Sequence, residues 1–218
     1  MSDAHPEGFG PAEFLATSGV SRETLARLKL FISLLQEWNA QVNLVSANSL
    51  VDVWRRHVWD SAQLMGFVLP GARSLVDLGS GAGFPGLVLA AMLQHGGPSF
   101  RVVLYEATTK KCRFLEEVSR RLGLTVEIRN ARMEEARREA FDIVTARACA
   151  PLVQLLSYAE PFQGKTTHCL FLKGQSVGAE LTEAYKNWKM IAEQHPSHSD
   201  PSGVVLEIRE LRRAKPAR

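Results

Sequence analysis

The sequence has few cysteines, little aromatic content, no long apolar run and almost no excess of either charge. Three cysteines, Cys112, Cys149 and Cys169, stand far apart in 218 residues. Their odd number and the lack of a C-x-x-C pair argue against a disulfide framework and a thiolate zinc site. No stretch reaches the roughly 18 apolar residues that a membrane helix needs. The polar start, with Pro6, Gly8 and Gly10, lacks the basic-then-apolar order of a signal peptide. A soluble protein of the reducing cytoplasm is the expectation. The 26 Lys and Arg exceed the 23 Asp and Glu by only three, too little to identify a nucleic-acid binder from net charge. What is present is 45% hydrophobic residues, enough for a substantial core.

The pattern along the chain changes near residue 71. Ser21 is a candidate N-cap for a helix whose Leu25, Leu28, Ile32 and Leu35 recur at helical spacing. After a polar break over 39–43, residues Leu50, Val53, Trp54, Val58, Ala62 and Met65 predict a second helix that ends near Leu69-Pro70-Gly71. Residues 1–70 are therefore expected to be a helical cap and 71–218 the main domain. From Ser74 short apolar runs alternate with amphipathic stretches. Strands are expected over 75–78, 102–105, 126–128, 141–145, 168–172 and 204–208, and helices over 85–93, 109–122, 133–139, 152–159 and 177–188. This alternation predicts an α/β class, a doubly wound, mostly parallel sheet covered on both faces. The loop over 195–203 is too short for a crossover helix, so the last strand is expected to pair antiparallel. The cap carries five Lys and Arg against seven Asp and Glu, and the rest of the chain 21 against 16. A polyanion would be drawn to the α/β part.

The most informative segment runs from Leu75 to Gly86, an apolar strand entering glycines and then a helix. Glycines let the backbone turn sharply and approach a ligand with no Cβ in the way. Pro85 suits a first helical position, which would turn the helix N-terminus to the ligand. Two frames compete. Gly81-Ala82-Gly83-Phe84-Pro85-Gly86 satisfies the dinucleotide pattern G-x-G-x-x-G, read as a nicotinamide oxidoreductase, but a lone match of this kind is weak. Asp77-x-Gly79-x-Gly81-x-Gly83 is similar to the motif of class I methyltransferases, which bind S-adenosylmethionine on a Rossmann-like sheet. Asp77 favours the second frame, because a carboxylate there can sit near the cationic amino-acid end of that cofactor and would repel a pyrophosphate. Glu106, 23 residues after Gly83, is placed where either ligand would want an acid for ribose hydroxyls. Met133 and Glu134 follow the third strand, where methyltransferases of this class contact the adenine.

Other candidates carry bland readings beside chemical ones. Asn39 and Asn43 could present two amides to a base edge or to phosphates, or could end a helix and form a turn. His57 and Asp60 read as a buried hydrogen-bonded pair that fixes the cap to the sheet. His195 and His198 lack a third metal ligand and read as loop residues, so no metal is expected. Trp54 and Trp59 are core candidates before they are stacking surfaces for RNA. The three cysteines read as packing.

With these pieces in place the chain resembles the bacterial 16S rRNA guanine-N7 methyltransferases, the small-subunit methyltransferase G family once called glucose-inhibited division protein B. The resemblance runs from about Trp38 to Lys173. It rests on Trp38-Asn39-x-x-x-Asn43-Leu44, Arg56-His57-x-x-Asp60-Ser61, the glycine motif ending in Phe84-Pro85-Gly86, Lys110-Lys111-x-x-Phe114-Leu115, Ala146-Arg147-Ala148 and Leu172-Lys173-Gly174-Gln175. It implies that S-adenosylmethionine contacts Gly79, Phe84, Met133, Glu134 and Arg147, and that Asn39, Arg147 and Lys173 face the active cleft or the RNA. It also implies methylation of N7 of a guanine in 16S rRNA or the small-subunit particle, by a monomer. A non-catalytic binding module is the alternative from another class. Because N7 has no proton to lose, no general base is required, and because positive charge moves onto the base during transfer, Arg147 is expected to be engaged by Glu106, the cofactor carboxylate or a phosphate rather than by the reacting ring. One departure is visible: family members often carry an Arg-His-Leu-Val-like stretch before the last strand, where this chain has Ser202-Gly203-Val204-Val205.

Overall fold

The computed structural model describes residues 8–94 and 99–214. Seven strands form one sheet in the order β3-β2-β1-β4-β5-β7-β6. They are β1 Ser74–Leu78, β2 Arg101–Glu106, β3 Val126–Asn130, β4 Ile143–Arg147, β5 His168–Lys173, β6 Trp188–Pro196 and β7 Val204–Arg213. The first five pair in parallel, and β7 runs antiparallel between β5 and β6. The doubly wound, mostly parallel sheet and its antiparallel last strand are as the sequence predicts. The order reverses between β1 and β4, the switch point at which such sheets bind ligands beyond their carboxyl ends.

Alternation along the strands sorts side chains to two cores. Leu75, Leu104 and Ile143 point to a cluster with Phe31 of the cap and with Leu87 and Phe114 from two of the sheet helices. Val76, Leu78 and Val144 point to the other face, against Leu155, Leu156 and Leu181. The helices, in chain order, are α1 Pro11–Ser18, α2 Arg22–Asn39, α3 Ala47–Val51, α4 Asp60–Ala62, α5 Gly86–Leu93, α6 Thr109–Leu122, α7 Leu152–Ala159 and α8 Val177–Ala184. Ser21 caps α2 as expected, its hydroxyl accepting from the Thr24 amide at 3.1 Å. The second cap helix is not one regular helix: α3 is followed by a π-turn over Trp54–Trp59, then α4 and a 3-10 turn over Gln63–Phe67.

Three expectations need correction. The stretch 177–188 is helical only to Ala184, and Trp188–Pro196 is an edge strand. Its Lys, Ala and Glu are poor strand formers, and pairing with β7 overrides them. His195 therefore lies on β6 and not in a loop. Its Nε2 is 3.2 Å from Glu207, and the same carboxylate and Glu193 are also paired by Arg209, so a side chain supplies the cation there. The helix expected over 133–139 shrinks to a 3-10 turn, Met133–Glu135, because Glu139 is drawn back to Arg101 and Arg129.

Asp77 ties the sheet to the glycine loop. Its position in the alternation places it on the cap-facing side under α5, and it is fully buried. Oδ1 accepts from Thr145 Oγ1 of β4 at 2.8 Å, and Oδ2 accepts from the Gly86 amide at the start of α5 at 3.2 Å. Burial pushes its carboxyl up to about 6, against the pull of these hydrogen bonds. The folded pKa lies above the unfolded value of about 4, so the native state holds this proton more tightly. Asp77 favours folding most below pH 4, and that advantage is lost as pH rises through 6. Comparing denaturant unfolding of the wild type and Asp77→Asn across pH 4–7 should show the wild type losing about 1–3 kcal/mol relative to the variant over this window, and a constant difference above it.

Candidate active site

Beyond the carboxyl ends of β1, β2 and β4 lies a cavity of about 520 Å3, bordered by Leu44 and Val45 of the cap, Gly79 to Ala82 and Phe84 of the glycine loop, Glu106, Arg147 and Cys149. Gly79 and Gly81 both hold positive φ, +65° and +56°. A Cβ on Gly79 would stand 2.9 Å from the Cβ of Cys149, so this turn excludes any other residue twice over. Glu106 ends β2 and is 7% exposed. Oε2 accepts from the Gly81 amide at 3.0 Å and Oε1 from the Thr108 amide at 2.7 Å. One acid thus fixes the glycine loop and keeps further lone pairs toward the cavity.

Phe84 joins the loop to the cap. Its ring stacks on Phe31 of α2 at 4.9 Å and on His57 of the π-turn at 4.9 Å, and Arg147 lies over it at 5.1 Å. Arg147, leaving the end of β4, donates from Nη1 to the Arg56 carbonyl at 3.0 Å and meets His57 Nδ1 at 2.6 Å. Asp60 Oδ2 is 3.6 Å away. Burial, with Arg147 and Arg56 adding to it, lowers the His57 pKa to about 3. The imidazole is therefore neutral, and because a guanidinium only donates, Nδ1 accepts and the proton sits on Nε2. Nε2 is buried with no partner among the described residues.

The structure relocates several sequence candidates. Asp77 does not border the cavity: both its oxygens are committed inside the core, so it supports the loop from behind and cannot discriminate between cofactors by contact. The α5 N-terminus likewise turns inward, its first amide given to Asp77 rather than to a ligand, and the helix begins at Gly86, one residue after the expected start. Arg147 is engaged by Arg56, His57 and Asp60, not by Glu106. His57 and Asp60 do fix the cap, but through Arg147 rather than by bonding each other. Asn39 ends α2, and its Oδ1 accepts from the amides of Leu44 and Val45 at 2.8 and 2.9 Å, while Asn43 is exposed in the following turn. Lys173, at the end of β5, pairs with Glu180 of α8 at 2.7 Å. Met133 is half-buried against the α7–α8 side, and exposed Glu134 accepts from the Tyr158 hydroxyl at 2.8 Å; neither borders the glycine-loop cavity. Leu44, Val45 and Cys149 went unremarked in the sequence as cavity residues, since nothing in their spacing ties them to the glycine motif.

A family model described as rRNA small subunit methyltransferase G matches residues 24–202. The ribosomal RNA small subunit methyltransferase G of Paramagnetospirillum magneticum is 48% identical, covering 94% of this chain and 98% of that protein. The protein of the same name from Parvibaculum lavamentivorans is 46% identical, covering 94% and 92%. Among solved structures, a SAM dependent methyltransferase from Aquifex aeolicus superimposes with a TM-score of 0.56 at 16% identity, covering 74% of this chain and 95% of that one. The 16S rRNA methylase RmtB gives 0.52 at 14%, covering 91% and 79%. At that distance the structures speak for the fold, that of class I methyltransferases. With the family model reaching from α2 into the β6–β7 loop, and relatives nearly half identical along almost their whole length, the chain belongs to the rRNA small subunit methyltransferase G family.

Proposed function

We propose that this chain transfers a methyl group from S-adenosylmethionine to N7 of a guanine in 16S rRNA, in the cytoplasm, on the RNA or the small-subunit particle. The observation that carries the reading is the glycine-loop cavity at the switch point of the sheet. The residues there fit the cofactor: backbone free of Cβ at Gly79 and Gly81, a buried carboxylate at Glu106 suited to ribose hydroxyls, and a guanidinium at Arg147 suited to a carboxylate. Gly83 holds the third turn of the loop, and Phe84 closes it against the cap. Met133 and Glu134, after β3, are assigned to the adenine end by the family resemblance.

When bound, the cofactor supplies an electrophilic methyl on a sulfonium. The protein's part is alignment and exclusion of water, worth more here than acid–base chemistry because N7 offers a lone pair without a proton. His57 stays neutral throughout the physiological range, so no second positive charge joins Arg147 beside a base that becomes cationic on methylation. Lys173 lies at the cleft with its charge balanced by Glu180. Asn39 is a positioning residue: it holds Leu44 and Val45, the cap's contribution to the cofactor cavity.

Three outcomes follow. Wild-type protein should place 7-methylguanine in 16S rRNA, and rRNA from cells lacking the gene should lack it at one position; mass spectrometry of mapped fragments reads this directly. Asn39→Ala should weaken S-adenosylmethionine binding about 5- to 50-fold, together with the methylation rate, as two backbone hydrogen bonds are lost. Unchanged affinity in calorimetry with a lowered rate would place Asn39 on the RNA side instead. Single-turnover methylation should show no His57-dependent inflection near pH 6.5, the ordinary imidazole value, any inflection from Asp77 persisting in His57→Gln; an inflection that His57→Gln removes would contradict the neutral assignment.

A further inference from the structure

A second cavity, about 490 Å3, lies between the π-turn of the cap, the ends of β4 and β5, and the β6–β7 loop. Arg147 and His57 border both cavities, so the two cavities adjoin at these side chains. Most of the cations here are already paired: Arg147 with the cap, Lys173 with Glu180 at 2.7 Å, and Arg55 with Asp52 at 2.7 Å. Arg56 is exposed and its guanidinium has no ion pair among the described residues.

The loop that closes the far side is held in place. Gln63 Oε1 accepts from the His198 amide at 2.8 Å, and Gln63 Nε2 donates to Ser197 Oγ at 3.1 Å. Ser199 Oγ donates to Asp60 Oδ1 at 2.5 Å. At its tip Asp200 Oδ1 accepts from the Ser202 amide and hydroxyl at 2.9 and 2.8 Å. These bonds, with smaller contributions from the nearby charges of Arg56 and Arg55, hold its carboxyl below the usual range, so it is ionised. Oδ2 has no partner among the described residues and the side chain borders the cavity.

An uncommitted carboxylate oxygen and an uncommitted guanidinium in one small cavity fit a ligand that offers amino hydrogens at one end and a phosphate at another. Guanosine in RNA is such a ligand. Its amino group lies on the Watson–Crick edge, the edge by which enzymes read extruded bases, and N7 lies on a different edge of the purine. Adenine presents an acceptor at N1 and no 2-amino group, and the pyrimidines have no N7. Resting on the function proposed above, we infer that this second cavity seats the target guanosine, with Asp200 accepting from its 2-amino group and Arg56 pairing with its phosphate. N7 then faces the side on which this cavity adjoins the cofactor cavity, from which the methyl group must arrive.

The test crosses two proteins with two RNAs: wild type and Asp200→Ala, each with 16S RNA carrying guanosine or inosine at the methylated position. Inosine keeps N7 and N1–H and lacks only the amino group. Wild-type kcat/KM should fall about 10- to 100-fold on inosine RNA, the scale of one hydrogen bond to a charged group. Asp200→Ala should show that loss on guanosine RNA and less than about twofold further loss on inosine RNA. A mere loosening of the loop would leave the two losses independent and multiplicative, which overturns the assignment. Arg56→Gln should lower the slope of log binding constant against log salt by about one, and an unchanged slope removes Arg56 from the site. If the wild type methylates no guanosine RNA, the proposed function itself fails; if it does and the losses multiply, only the seat of the guanosine is wrong.

Discussion

The guanidinium of Arg147 adds a buried polar link between the cap and the sheet, which already share one apolar core. It leaves the sheet at the end of β4, passes over Phe84 and ends on the Arg56 carbonyl, His57 and Asp60 of the cap. Taking such a charge out of water is costly unless its donors are satisfied and a counter-charge is near. The π-turn supplies a carbonyl and an imidazole nitrogen and the first residue of α4 a carboxylate, which is what allows the burial. Removing Asp60 would leave the charge uncompensated and removing His57 would leave a donor unpaired, so the cap's local shape and the mouth of the sheet are coupled. The same side chain borders both cavities, and its coupling to the cap therefore shapes the place where they adjoin.

Two carboxylates do comparable work on the glycine loop, from opposite sides. Asp77 binds the start of α5 and Thr145 from within the core, and Glu106 binds the Gly81 amide from the cavity side. Both accept backbone N–H groups that a tight glycine turn leaves without helical or strand partners. Their environments then separate them: Asp77, fully desolvated, has its carboxyl pushed up to about 6, whereas Glu106 keeps a face to the cavity. This division corrects a simple electrostatic reading of the motif, in which Asp77 selects a cationic cofactor by proximity. Its charge is spent on holding the loop's shape, and membership of the methyltransferase family rests on the whole sequence instead.

The sequence by itself determined the elements that local rules govern: Ser21 at the head of α2, the apolar runs of the five parallel strands, the glycine turn, Glu106 at a strand end and the antiparallel return of β7. Each depends on neighbours a few residues away, through capping, side-chain alternation or conformational freedom. Tertiary structure decided the rest. Trp188–Pro196 became a strand because β7 offered it an edge, against the helical leaning of its residues. Asn39 was captured by the amides of Leu44 and Val45, and Arg147 by a cap some 90 residues earlier in the chain. Asp77 was drawn beneath α5 and lost contact with the cavity. In every such case the outcome turns on which partner satisfies a polar group once water is excluded, and that depends on which chain segments packing brings together, which residue spacing does not encode.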